Sequence, residues 1–140
     1  MSAAVVDASV WVSRLVSLDT HHALSRQWLE HQTAEEGQLV SPVLLLSEVA
    51  GAISRRTGDR SLAHQAVKHL LRLPALRIVP IDHSLGNDSA QLAADLGLRG
   101  PDAVYVAVAQ RLNIPLFTWD QEQIEKTSKI IRAYLPSPGK

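Results

Sequence analysis

Short apolar runs that end on cap-forming residues, separated by segments of helical length, constrain this chain more than any other feature. Ala3–Val6 is apolar, too short for a helix, and followed at once by Asp7-Ala8-Ser9, where Asp and Ser are favoured helix caps. Gln38–Val40, Leu76–Val79, Leu116–Thr118 and Ile130–Ala133 read as further short strands. Between them the pattern predicts helices over Val10–Val16, His21–His31, Val43–Thr57, Arg60–Leu73, Ser84–Leu96, Pro101–Leu112 and Asp120–Thr127. In the second of these, Leu24, Gln27 and Trp28 are expected to face inward. Ser41-Pro42 reads as the N-cap and first position of the third, Gly58 as its stop, and Asp59 as the cap of the next. Buried strands alternating with helices predict an α/β domain of three layers, α/β/α, around a central, mostly parallel sheet of four or five strands.

The chain has 140 residues without repeat, low-complexity segment or linker, so residues 1–140 read as one domain, with 136–140 as a frayed tail. A hydrophobic fraction of 46% is enough for a packed core and argues against disorder. There is no cysteine, which excludes disulfides, a thiolate zinc site and thiol catalysis. No run of about 18 apolar residues is present, so no membrane association is expected. Met1–Asp7 lacks the basic and long apolar regions of a signal peptide, and a cytoplasmic location is the expectation. Fourteen basic residues balance fourteen acidic ones. That argues against a broad nucleic-acid-coating surface but not against a nuclease, whose acidic centre offsets arginines elsewhere. Arg14, Arg55, Arg56, Arg60 and Arg99 are available to hold phosphates, or are ordinary surface residues.

In open parallel sheets, ligands gather at the carboxyl ends of the strands. Asp7 directly follows the first strand, and Asp120 follows Leu116–Thr118 after one residue, so both belong to that edge. Glu48 has Leu44, Leu45, Gly51 and Ala52 as its three- and four-residue neighbours, an apolar face that turns its carboxylate inward. Asp102 opens a helix that is apolar nearly all round and therefore central. Taken singly, Asp7, Asp102 and Asp120 are equally well read as caps or first-turn acids, and Glu48 as one half of an ion pair. Taken together, the four would concentrate negative charge that needs a cation or bound protons. Oxygen-only ligands suit Mg²⁺ or Mn²⁺ rather than zinc. The six histidines show no ligand-like pair beside an acid, and Trp119 reads as a packing residue before a base-stacking one.

These segments resemble the PIN-domain nucleases. Val5-Val6-Asp7-Ala8-Ser9 is similar to their first strand and acid, and Ser47-Glu48-Val49 to their second acid. Arg99-Gly100-Pro101-Asp102-Ala103 before an Ala/Val-rich helix resembles the third, and Leu116-Phe117-Thr118-Trp119-Asp120-Gln121-Glu122 the last strand, the fourth acid and a trailing one. The motifs run in order over almost the whole chain, no acid is missing, and the layout looks most like the VapC toxins of VapBC toxin–antitoxin pairs. The resemblance implies a metal-dependent ribonuclease whose Asp7, Glu48, Asp102 and Asp120 hold Mg²⁺ or Mn²⁺, with Ser9, Thr118 and Glu122 in support. It also implies a VapB-like antitoxin as partner. A homodimer is expected as well, because Val43–Ile53 carries apolar residues on more than one face. The alternatives are a PIN-type nuclease of RNA processing without a toxin role and a non-catalytic PIN-type binding module. A phosphatase using Asp-x-Asp after the first strand is disfavoured by Asp7-Ala8-Ser9.

Overall fold

The computed structural model describes residues 2–137. In chain order these form β1 (Ala3–Val6), α1 (Ala8–Leu15), α2 (His22–Ala34), β2 (Gln38–Pro42), α3 (Leu44–Thr57), α4 (Arg60–Arg72), β3 (Leu76–Val79), α5 (His83–Leu96), α6 (Gly100–Leu112), β4 (Leu116–Phe117), α7 (Gln121–Thr127) and β5 (Ala133–Tyr134). The five strands make one sheet in the order β3-β2-β1-β4-β5, and every pairing is parallel. The expected three-layer α/β/α architecture is what the chain adopts.

Residue alternation along each strand decides which helices cover which face. Ala4, Val6, Leu39 and Phe117 pack with Trp11, Trp28, Leu45 and Leu70 of α1–α4. Val5, Val40 and Leu116 point the other way, onto Leu85 of α5 and the buried run Ala103–Ala109 of α6. That unbroken run explains why α6 has no solvent-facing side from Ala103 to Ala109: there it is covered all round. The chain builds outward from β1 to β3, then returns to lay β4 on the other side of β1. The β1/β4 boundary is thus the switch point of the sheet, where a crevice opens at the strand ends.

Several boundaries differ from the sequence reading for identifiable reasons. α1 starts at Ala8 because Asp7 itself caps it, accepting from the Ser9 N–H. Ser41 and Pro42 belong to β2, not to a helix start. Ser41 is fully buried, and its hydroxyl donates to the Val6 carbonyl at 2.7 Å and accepts from the Trp11 indole at 3.3 Å, so it is not free to cap. Pro42 is tolerated in the strand because β1 pairs with β2 only as far as Val40. In α2 the inward residues are Ser25, Trp28 and Leu29, while Leu24 and Gln27 face solvent. The last strand falls at Ala133–Tyr134, because the N–H groups of Ile130 and Ile131 both close on the Thr127 carbonyl and end α7.

Leu45, Val49 and Ile53 of α3 are buried within the chain and Leu44 and Leu46 are half-buried, so most of the apolar surface that suggested a dimer is consumed internally. No helix among the described residues is long and apolar enough to cross a membrane. Of the expected tail, Pro136 is buried and residues 138–140 lie outside the described residues.

Candidate active site

The parallel register of β1 and β4 sets Val6 opposite Phe117, so the residues that follow them, Asp7 and Thr118, emerge side by side. The Asp7 N–H still bonds to the Phe117 carbonyl at 3.0 Å, which holds the two strand ends together. Asp7 is only 6% exposed. Its Oδ2 accepts from the Thr118 hydroxyl at 2.8 Å, the Ser9 hydroxyl at 2.7 Å and the Ser9 N–H at 3.3 Å.

Each hydroxyl has one proton, and both protons go to Asp7. The hydroxyl oxygens are then free to accept, and they do: Ser9 Oγ from the Trp119 N–H at 3.1 Å, and Thr118 Oγ1 from the Asp120 N–H at 3.1 Å. Two backbone dipoles are relayed through two hydroxyls onto one carboxylate oxygen, and such chains polarise one another. Burial nevertheless prevails. It pushes the Asp7 carboxyl above its ordinary value, the nearby Asp102 adds to the rise, and the hydrogen bonds of Ser9 and Thr118 only offset part of it.

Glu48 lies just over one turn into α3, half-buried, and its Oε1 accepts from the Tyr105 hydroxyl at 2.7 Å. Its carboxyl is also raised, first by burial and then by the charges of Asp7 and Asp102, against the Tyr105 hydrogen bond. Neither Asp7 nor Glu48 has an ion-pair partner among the described residues. Tyr105 is a residue at this edge that the sequence analysis did not single out. The available signal was a lone hydroxyl in an Ala/Val helix, three residues beyond Asp102, which had to find a buried partner. The Tyr105 phenol is itself held well above its usual range by burial and by Glu48.

Asp102, 13% exposed, receives the Arg99 guanidinium at 2.9 Å, and the same guanidinium lies 3.9 Å from Asp120 Oδ2. Asp120 is 37% exposed, and its Oδ1 caps α7 by accepting from the Gln123 N–H at 3.1 Å. The Gln123 side chain, a second residue not singled out beforehand, donates from Nε2 to the Asp102 backbone carbonyl at 3.4 Å, and its acceptor Oε1 lies 3.3 Å from Thr118 Oγ1. Glu122 stands on the outer rim, largely solvated and paired with Lys126 at 2.9 Å. Trp119 is a packing residue: its ring stacks on His21 at 3.9 Å between centroids, and its indole N–H donates to Ser25.

The four acids therefore lie around one sheet edge, and two open cavities flank them. One, of about 380 Å³, is lined by Arg99, Asp102, Asp120, Glu122 and Lys126. The other, of about 410 Å³, is lined by Ser9, Glu48, Ala52, Arg55 and Arg56. Among the described residues no three acidic or histidine side chains are close enough to form a closed metal cage. Mg²⁺ does not require one, since it is commonly held by one or two carboxylates, several waters and substrate phosphate. The donor chemistry fits such an ion: oxygen-only, anionic, and in Asp7 and Glu48 without a countercharge in contact.

A family model described as the PIN domain matches residues 4–130. The chain belongs to the PIN-domain family. Solved structures with the same fold include VapC20 of Mycobacterium tuberculosis, described as a toxin cleaving the sarcin-ricin loop. This PIN domain superposes on it with a TM-score of 0.76 at 18% identity, covering 87% of this chain and 93% of that one. VapBC2 of Rickettsia felis, bound to a DNA fragment from its promoter, gives 0.70 at 14% identity, covering 95% and 98%. A toxin–antitoxin complex from Klebsiella pneumoniae gives 0.68 at 22% identity, covering 95% and 97%. At these identities the likeness establishes the fold. A comparison with curated protein sequences found no match.

Proposed function

We propose that this PIN domain is a ribonuclease that hydrolyses RNA phosphodiester bonds at Asp7, Glu48, Asp102 and Asp120, and that it is the toxin of a toxin–antitoxin pair. The observation that carries the reading is the buried Asp7 carboxylate at the β1/β4 switch point, held by two hydroxyls and without an ion-pair partner among the described residues. A carboxylate so placed is costly unless a ligand neutralises it. Mg²⁺ or Mn²⁺, when bound, would acidify its own water and offset charge on the phosphoryl oxygens. The protein side of the chemistry is positioning. Ser9 and Thr118 orient Asp7, Tyr105 orients Glu48, and Arg99 holds Asp102 and approaches Asp120 at the rim of the same centre. No histidine or lysine is needed as a base.

The toxin role rests on the solved neighbours, several of which are toxin–antitoxin complexes. A small VapB-like antitoxin is the proposed partner. A homodimer remains part of the proposal, although α3 offers less free apolar surface than its sequence suggests. The deciding experiment is cleavage of a fluorescence-quenched RNA with Mg²⁺ or Mn²⁺, with EDTA, and with Asp7→Asn. Cleavage that needs the metal and is lost in the variant is expected. Cleavage that persists in both controls refutes the reading, and no cleavage under any condition favours a binding module.

A further inference from the structure

Arg55 differs from the other arginines beside the acids. Arg56 is committed to Asp19 at 2.8 Å, and Arg99 to Asp102 at 2.9 Å. Arg55 has no ion-pair partner among the described residues, yet it lines the 410 Å³ cavity that contains Glu48 and Ser9.

Its seat is built by a glycine. The Arg55 guanidinium folds back along α3 over Gly51, so that a Cβ on Gly51 would meet Nη1 at 3.0 Å and Cζ at 3.9 Å. Glycine inside a helix costs roughly 1 kcal/mol relative to alanine. Gly51 is in mid-helix, with an ordinary helical conformation that alanine adopts equally well, so its backbone gives no reason for glycine. What the missing Cβ provides is room for the guanidinium to lie flat against the helix. Helical side chains cover the turn N-terminal to their own Cα, so the charge lies near Gly51, only three residues beyond Glu48. That is about 5 Å along the helix axis.

We infer that Arg55, seated on Gly51, is a phosphate subsite for the RNA strand. It would hold a backbone phosphate next to the one being cut. The inference rests on the ribonuclease reading of the acids. If the scissile phosphate lies at Asp7 and Glu48, the strand must leave along one of the two flanking cavities. Of the cations that line the two cavities, Arg55 beside α3 is the one without a carboxylate partner among the described residues. Arginine suits the role because its planar fork can take two phosphate oxygens together, and the small side chains of Ser9 and Ala52 leave the floor open.

The test uses the full chain with Asp7→Asn to prevent cleavage. A short fluorescein-labelled single-stranded RNA is titrated by anisotropy in Mg²⁺ over a series of KCl concentrations, without and with Arg55→Gln. Arg55 is exposed, so the fold should tolerate the change, and thermal melting checks it. Loss of one phosphate contact predicts a salt slope shallower by about 0.7 and, at moderate salt, affinity weaker by roughly 3- to 10-fold. Arg55→Lys should retain the slope and regain part of the affinity. Gly51→Ala should melt no lower than its parent while binding RNA more weakly. Equal affinity and slope for the parent and Arg55→Gln overturn the subsite. If Arg55→Gln instead loses binding of an oligo-glutamate peptide, the cavity takes a protein carboxylate. A parent that cleaves RNA when Asp7 is restored but shows no Arg55 effect sinks this inference alone. A restored chain that neither binds nor cleaves RNA sinks the ribonuclease reading together with it.

Discussion

Replacing Thr118 by valine is the sharpest perturbation of the acidic centre, because it changes hydrogen bonding at nearly constant volume. Thr118 is fully buried, so no solvent takes over its partners. The substitution removes the donor to Asp7 at 2.8 Å and the acceptor of the Asp120 N–H at 3.1 Å. A hydrogen bond to a charged group contributes about 1.5–3 kcal/mol, and a neutral one about 1 kcal/mol. When Asp7 is ionised the loss should be roughly 3 kcal/mol. When Asp7 is protonated only neutral bonds are lost, and the cost falls to about 1–2 kcal/mol. The expected signature is thus a pH-dependent difference in melting between Thr118→Val and the parent, small in acid and larger above the Asp7 titration. For a domain of this size 1 kcal/mol is about 3–4 °C, so a deficit of roughly 10 °C at high pH should shrink to about half in acid. The Thr118 bond also lowers the Asp7 pKa. Its loss should therefore move the acid limb of RNA cleavage to higher pH, with Thr118→Ser restoring both properties. Melting by circular dichroism in EDTA and cleavage rates across pH measure the two. A deficit that is the same at every pH, with an unmoved acid limb, would show that Thr118 only packs.

In EDTA the parent itself should lose stability as pH rises. The folded pKa values of Asp7 and Glu48 lie above their unfolded values, so the associated stability is full below the unfolded values and lost as pH climbs through the raised ones. Asp7→Asn should flatten that slope and Mn²⁺ should oppose it by binding the folded state, both read from melting temperatures. A flat parent profile contradicts the charge crowding. Tyr105→Phe removes the 2.7 Å bond to Glu48 and should lower kcat/KM roughly tenfold, the equivalent of one charge-assisted bond; an unchanged pH–rate profile would remove Tyr105 from the site. Asp19 titrates with the opposite sign. Although burial raises its pKa, the His21 N–H and Arg56 together lower it, so its contribution is present above the unfolded value and lost as pH falls. Arg56→Ala should cost about 0.5–1 kcal/mol near neutral pH, because the guanidinium is nearly half exposed, and that cost should shrink in acid. Urea melts at the two extremes of pH would expose a cost that is constant instead.

The order and type of the elements were legible in the sequence because each depends on local pattern. Four-residue apolar runs cannot be amphipathic helices, and the buried stretch Ala103–Ala109 has no solvent face to offer. The placement of the four acids at one sheet edge was legible as well, through their positions just after strands or within the first turns of helices. The cap and site readings of Asp7 and Asp120 do not exclude one another: each carboxylate caps its helix and still stands at the sheet edge where the proposed site lies. What local pattern could not determine was which hydrogen bonds long-range neighbours would claim. Ser41 reads as a cap from its flanking residues, yet its hydroxyl is taken by Val6, 35 residues away. Thr118 reads as a strand-end hydroxyl, yet its partner is Asp7, 111 residues away, because the β1/β4 register brings the two strand ends together. Tyr105 finds Glu48 across 57 residues. A side chain's own segment sets where it starts, but burial forces each polar group onto whatever partner the packing supplies, and only the assembled sheet and its helices decide that partner.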